Sequence, residues 1–320
     1  MKGLRKYLTP FAPDQSGAVS MLYEAGGLII IVDAGGCTGN VCDFDEPRWE
    51  SSKSAIFSAG LRDMDAILGR DDLLIKKIKK VMTRLDASFI ALIGTPVPAV
   101  IGTDLKGLAH ILETQIHKKV ITCDTSGVFL YDTGIEKALN AFVKAFVDDQ
   151  KTEKEIGVLG FTPLDYTCPK NKHYNYYDTI EDVVCAGSLK KNYVASMAGL
   201  KIAKYMERTY SIPYEIGYPD DLYPDINGNH VLAITTQAIG LDLAKKCPDL
   251  TIASYFMMKK AYMRGQDVIL KEEDDLIDLV RSHDYDVIIG DRDYQRMLPF
   301  YKGKWIPLEH FAVSGSKVIQ

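Results

Sequence analysis

Two cysteines five residues apart follow an apolar run. Leu28 to Val32 reads as a buried strand, and it feeds a glycine-rich loop in which Cys37 lies between Gly36 and Gly39, with Cys42 shortly after. A strand ending in a Gly-Gly-Cys loop presents a thiolate where backbone approaches closely, as a metal cluster or a bound anion requires. Gly36 and Gly39 are therefore candidate cofactor-binding positions, and Cys37 and Cys42 candidate metal ligands. The plainer readings are a small residue fitted to a tight loop for Cys37 and a half-buried thiol for Cys42. Thr95, in the loop Gly94 to Pro98, is expected to line the same cleft or simply to sit in a rigid connection. Thr103 and Asp104 read most simply as helix caps, with an anion or cluster at the helix N-terminus as the alternative. No residue is assigned a catalytic role.

The other candidates carry less. Cys123, Cys185 and Cys247 lie in apolar surroundings and read as core, where free cysteine is common. Cys168 and His173 share a polar loop, but two ligands from one loop are a weak metal signal. Tyr174, Tyr176 and Tyr177 would wall a pocket for a flat substrate or pack at a domain face. His110, His117 and His310 read as surface, packing or structural residues. There is no C-x-x-C pair, so no zinc ribbon or thioredoxin-type motif. The glycines of Asp33 to Asn40 lack the G-x-G-x-x-G spacing of a dinucleotide site. No phosphate-binding G-x-x-x-x-G-K-[ST] loop occurs either.

Bulk composition narrows the class. The 320 residues are 47% hydrophobic, with 38 basic and 43 acidic side chains and a net charge of -5. That is ample for a large core and two or three domains. It lacks the basic footprint of a nucleic-acid binder. No apolar run reaches the roughly 20 residues that span a bilayer. The basic start lacks the apolar stretch of a signal peptide, so a cytoplasmic location is the default.

The elements that position the candidates alternate. A short helix is expected over residues 15 to 26, then the strand and cysteine loop, a helix after Asp71 and Asp72, and a strand Phe89 to Ile93. A helix from Thr103 to about Ile116, a strand ending at Cys123 and a helix Gly134 to Val147 follow. Strand, loop and helix in alternation predict an α/β fold with parallel sheets covered on both faces. Functional loops then lie at the carboxyl ends of strands, at Cys37, at Thr95–Pro96 and at Asp124–Ser126. A charged stretch near Lys151 suggests a boundary, giving expected Rossmann-like domains over residues 1–150, 151–228 and 229–320. The second holds a helix around Val194 to Thr209, and the tail after Trp305 reads as mostly irregular.

Taken together, these segments resemble the nitrogenase component 1 superfamily, which includes the dark protochlorophyllide reductase subunits. Gln15-Ser16-Gly17-Ala18, Gly36-Cys37, residues 57–69 and Val100 to Leu105 carry the likeness in the first part. Gly160 to Pro163, Ile212 to Tyr214, and residues 231–236, 272–280, 285–291 and 310–315 carry it onward. The chain is short for the family, as though insertions had been trimmed. The resemblance implies an oxidoreductase subunit that takes electrons from an ATP-dependent iron-protein-like partner and reduces a substrate in a cleft between domains. It also implies an Fe–S cluster at a subunit interface, bound by three cysteines per chain. Here those positions fall on Pro13, Cys37 and Pro96. Proline cannot ligate iron, so the compensating expectation is one 4Fe-4S cluster held by Cys37 and Cys42 of two chains, in a homodimer or with another component 1-like subunit. The alternative is a non-catalytic carrier of a metal cofactor or tetrapyrrole, an assembly scaffold or an accessory subunit. Neither reading calls for nucleic acid or membrane as a partner.

Overall fold

Apolar runs of four residues build the strands nearest the candidate loops. In the computed structural model, which describes residues 5–51, 53–223 and 225–315, β1 (Leu28–Ile31) pairs in parallel with β2 (Ala55–Ser58) and with β3 (Ile90–Ile93). β3 pairs in parallel with β4 (Val120–Cys123), giving the order β2-β1-β3-β4. Every residue of β1 and β3 is buried, as expected where helices cover both faces of a parallel sheet.

Eight helices accompany this sheet among the described residues: α1 (Asp14–Leu22), α2 (Gly36–Asn40), α3 (Asp63–Leu68), α4 (Asp71–Met82), α5 (Pro96–Ile101), α6 (Leu105–Ile116), α7 (Tyr131–Phe146) and α8 (Ile180–Val184). They and the sheet form one compact unit of residues 12–154 and 175–189. On one face Leu28, Ile30 and Leu92 meet Leu74 and Ile78 of α4 and Leu108 and Leu112 of α6. The four-residue spacing on both helices gives each its apolar stripe. Asp71 and Asp72 open α4 and Lys79 and Lys80 close it, matching the helix dipole. Asp104 caps α6 by accepting from the Gly107 N–H at 3.0 Å. Thr103 stands one residue outside the cap.

α1 departs from the amphipathic rule. All nine of its residues are buried, Asp14, Gln15, Ser16 and Ser20 included. A helix buried on every side must find partners for its polar groups inside the protein. Ser16 donates to Asp45 at 2.6 Å, and Arg48 donates to the Ser20 carbonyl at 2.8 Å.

The second unit holds residues up to 11, 155–174 and from 190 on. Its β5 (Ile156–Leu159) has the short β6 (Tyr174–Asn175) at one edge and, in parallel, β7 (Lys191–Val194) and then β8 (Tyr214–Ile216). A third, all-parallel sheet has the order β11-β10-β9-β12-β13, from β9 (Val231–Ile234), β10 (Thr251–Ser254), β11 (Val268–Ile269), β12 (Val287–Gly290) and β13 (Lys304–Pro307). The helices of this unit are α9 (Leu200–Tyr210), α10 (Gln237–Lys246), α11 (Glu273–Ser282) and α12 (Phe311–Ser314). Among the described residues no helix is long and apolar enough to cross a membrane.

Several boundaries differ from the expectations. The first helix stops at Leu22. Gly94 to Pro98 is not a loop throughout, because Pro96 starts α5. The first helical N–H groups have no intrahelical acceptor, so Pro96 and Pro98 lose nothing there and their fixed φ favours the turn. The expected helix around Val194 divides into β7, a 3-10 turn at Met197–Gly199 and α9. The tail is not irregular but adds β13 and α12. There, pairing with β12 and packing decided what local propensity left open.

Candidate functional site

The carboxyl end of β1 is pinned by one acid. Asp33 is buried, and its Oδ2 accepts from the Thr38 N–H at 2.8 Å and the Thr38 hydroxyl at 3.1 Å. Its Oδ1 accepts from the Ser58 hydroxyl at 2.6 Å. A carboxylate at the start of α2 satisfies free N–H groups and complements the dipole. Gly35 makes the turn with φ of 121°, which favours glycine. Cys37 therefore sits in a short helix rather than in an open loop. That helix runs on into one π-helical turn, Val41–Asp45, which carries Cys42. Such π turns recur at functional sites.

Both thiols are half-buried and feel the same acid. Burial raises the Cys37 thiol, Asp33 raises it further, and a hydrogen bond with Thr95 partly offsets this. Burial, then Asp43 and Asp33, push Cys42 up to about 11. Each is thus a neutral thiol near pH 7, and a metal would have to displace its proton. Thr95 is buried, and its hydroxyl donates to the Val32 carbonyl at 2.7 Å, at the end of β1.

The two proline positions lie at helix starts nearby. Pro13 caps α1 and bridges to Leu130, while Pro96 is the first residue of α5. Asp14 accepts from the N–H groups of Ser126 at 3.0 Å and Gly127 at 2.7 Å. A Cβ on Gly127 would stand 2.7 Å from the Pro96 ring and 3.4 Å from Gln15 Oε1. That Gln15 oxygen is buried without a hydrogen-bond partner. The segments of residues 13–15, 37, 95–96 and 126–127 are thereby linked contact by contact within one unit.

Gly36 and Gly39 have no such constraint. A Cβ at either would meet nothing within 4 Å, so nothing in this chain demands glycine there. Around the same segments lie exposed apolar side chains: Phe44 two residues beyond Cys42, Val100 on α5, and Val128 and Phe129 after Gly127. These side chains leave apolar area in water on the segments that carry the candidate site.

Thr103 is not brought to Cys37. It lines a separate cleft of about 230 Å³ with Asp65, Arg70, Asp71 and Asp104, backed by Val32 and Leu61. Burial and the neighbouring Asp104 and Asp72 raise the Asp71 carboxyl. Among the described residues no three His, Cys, Asp or Glu side chains converge to hold a metal ion. Cys168 is half-buried and His173 exposed, and they form no such group. Tyr176 and Tyr177 are buried, which fits packing rather than a pocket wall. Cys123 and Cys247 are buried as read, whereas Cys185 caps the end of α8 and is partly exposed. Asp33 and Ser58 were missed in the sequence, though an acid between a β-branched run and Gly-Gly is a readable helix-start signal.

A family model described as nitrogenase component 1 type oxidoreductase matches residues 16–219. Among solved structures, nitrogenase Cp1 at pH 6.5 superposes with a TM-score of 0.70 at 13% identity, covering 97% of this chain and 87% of that one. Nitrogenase Cp1 at pH 5 gives 0.67 at 13% identity, covering 97% and 85%. At that identity the likeness is one of fold. No curated protein matches the sequence.

Proposed function

The chain belongs to the nitrogenase component 1 type oxidoreductases, and on that premise we propose that it is an electron-accepting subunit whose Cys37 and Cys42 hold half of a 4Fe-4S cluster shared by two chains. The supporting observation is the donor set. One chain offers two half-exposed thiols on one continuous helical segment, and the other two family positions are Pro13 and Pro96. Four cysteines complete such a cluster, so two chains supply what one does not. When bound, the cluster would supply one-electron storage at the interface.

The chain's own residues do the positioning. Asp33, held by Thr38 and Ser58, fixes the start of α2, and Thr95 ties the Cys37 thiol to the end of β1. Phe44, Val128 and Phe129 would shield the site from water once a second chain covers them, and Gly36 and Gly39 would give that chain its close approach. Electrons would come from an iron-protein-like ATPase, since the sequence has no phosphate-binding loop of its own.

Sedimentation of the anaerobically reconstituted protein tests this reading. Iron that travels only with dimer supports it, and iron carried by monomer contradicts it. One observation favours a second reading, a carrier or scaffold without a cluster. The unpartnered Gln15 oxygen beside Pro96 and Gly127 is an acceptor that a ligand with an N–H or O–H group would satisfy.

A further inference from the structure

Residues 5–11 have no regular structure, yet one side chain ties them down. The Glu273 carboxylate, in the first turn of α11, accepts three successive backbone N–H groups: Lys6 at 2.8 Å, Tyr7 at 3.0 Å and Leu8 at 2.8 Å. Successive N–H groups converging on one anion form a nest. Beside it, the Arg5 guanidinium lies 3.9 Å above the Phe11 ring. Phe11 packs on Tyr255 and Phe256, with ring centroids 5.5 and 5.1 Å away. Phe256 in turn stacks on His310 at 4.8 Å with the planes 10° apart. The Thr9 hydroxyl reaches the Val313 carbonyl at 3.4 Å.

The place these residues occupy gives the packing its meaning. Tyr255 and Phe256 directly follow β10, and His310 lies between β13 and α12. The segment thus packs beside the carboxyl end of β10 in the third sheet, the end at which open α/β sheets receive ligands. At that end of β9, Thr235 and Thr236 are buried with hydroxyls that have no partner. A buried hydroxyl without a partner costs stability and is a group the folded chain leaves unused.

We infer that residues 5–11 form a strap, latched by Glu273, that closes the carboxyl end of the third sheet, and that its release uncovers His310 and the Thr235–Thr236 end of β9.

Two rates measured on the full-length protein at pH 7.5 test it. Trypsin cleavage after Arg5 and Lys6 reports strap release, and diethyl pyrocarbonate modification of His310, located by mass spectrometry, reports access beneath it. Exposed His283 is the internal reference. Glu273→Ala is expected to raise both rates at least tenfold and leave His283 unchanged. Faster cleavage with His310 as protected as before would overturn the strap's role as a closure, and no change in either rate would overturn the latch. Should Glu273→Ala lose its cooperative melt, Phe11→Ala decides by the same two rates.

Discussion

Gly17 on α1 faces Tyr131 on α7 so closely that a Cβ at position 17 would lie 1.9 Å from the Tyr131 carbonyl oxygen. The contact is matched one turn away, where a Cβ on Gly134 would lie 1.7 Å from the Asp14 carbonyl oxygen. Backbone cannot yield as a flexible side chain does, so the helices must part. Gly17→Ala and Gly134→Ala are each expected to cost about 3 kcal/mol or more, above the usual range for overpacking. Urea unfolding midpoints check this.

That close crossing sets Asp14 where its carboxylate holds the Ser126–Gly127 turn against Pro96. Asp14→Ala would strand two N–H donors and is expected to cost about 2–4 kcal/mol. Amide exchange at Ser126 and Gly127 would then quicken well beyond the rest of the unit. Unchanged exchange there would mean that Asp14 does not hold the turn.

Much of this was legible in the sequence. The apolar runs gave β1, β3, β9 and β12, and the acidic start and basic end of α4 gave its limits. Cys37, Pro13 and Pro96 were singled out by the family resemblance, and Thr95 by its place at the end of a strand. What stayed hidden was tertiary. Nothing local marks α1 as buried on all sides, since Asp14, Gln15, Ser16 and Ser20 are polar and the run has no apolar stripe that wraps it. Pro96 and Pro98 read as loop-fixing until α5 shows them at helix positions that need no N–H. Thr103 and Asp104 both read as caps, and the structure gives the cap to Asp104 and leaves Thr103 in a cleft of its own.

The acid that pins the cysteine helix offers a test that spares both thiols. Asp33→Ala removes the acceptor for Thr38 and Ser58 and is expected to cost about 1–3 kcal/mol. If Asp33 positions the ligands, reconstituted iron should also be lost severalfold faster to a chelator. Iron retention equal to wild type would assign Asp33 to stability alone.

Glu273 predicts a pH dependence. Burial pushes its carboxyl up, but the N–H groups of Leu8, Lys6 and Tyr7 and the charge of Arg5 outweigh that, and the net shift is downward. Glu272, Asp274, Asp275, Tyr255 and Tyr294 are the other titratable groups around this latch. A lowered folded-state value means the latch stabilises fully above the ordinary glutamate range, about 4.3. That contribution is lost as pH falls through the folded value. The wild-type Tm should therefore drop more steeply below about pH 4.3 than that of Glu273→Gln, and the two curves should converge in acid. Parallel curves would contradict the assignment.

A cluster shared by two chains through Cys37 and Cys42 would fix the metal content of each chain. Iron and acid-labile sulfide per chain, measured after anaerobic purification of wild type, Cys37→Ala and Cys42→Ala, test it most directly. A shared cluster gives about two iron and two sulfide per chain in the wild type, and both are lost in either variant. Wild-type protein without iron after reconstitution, or iron indifferent to both substitutions, would contradict it.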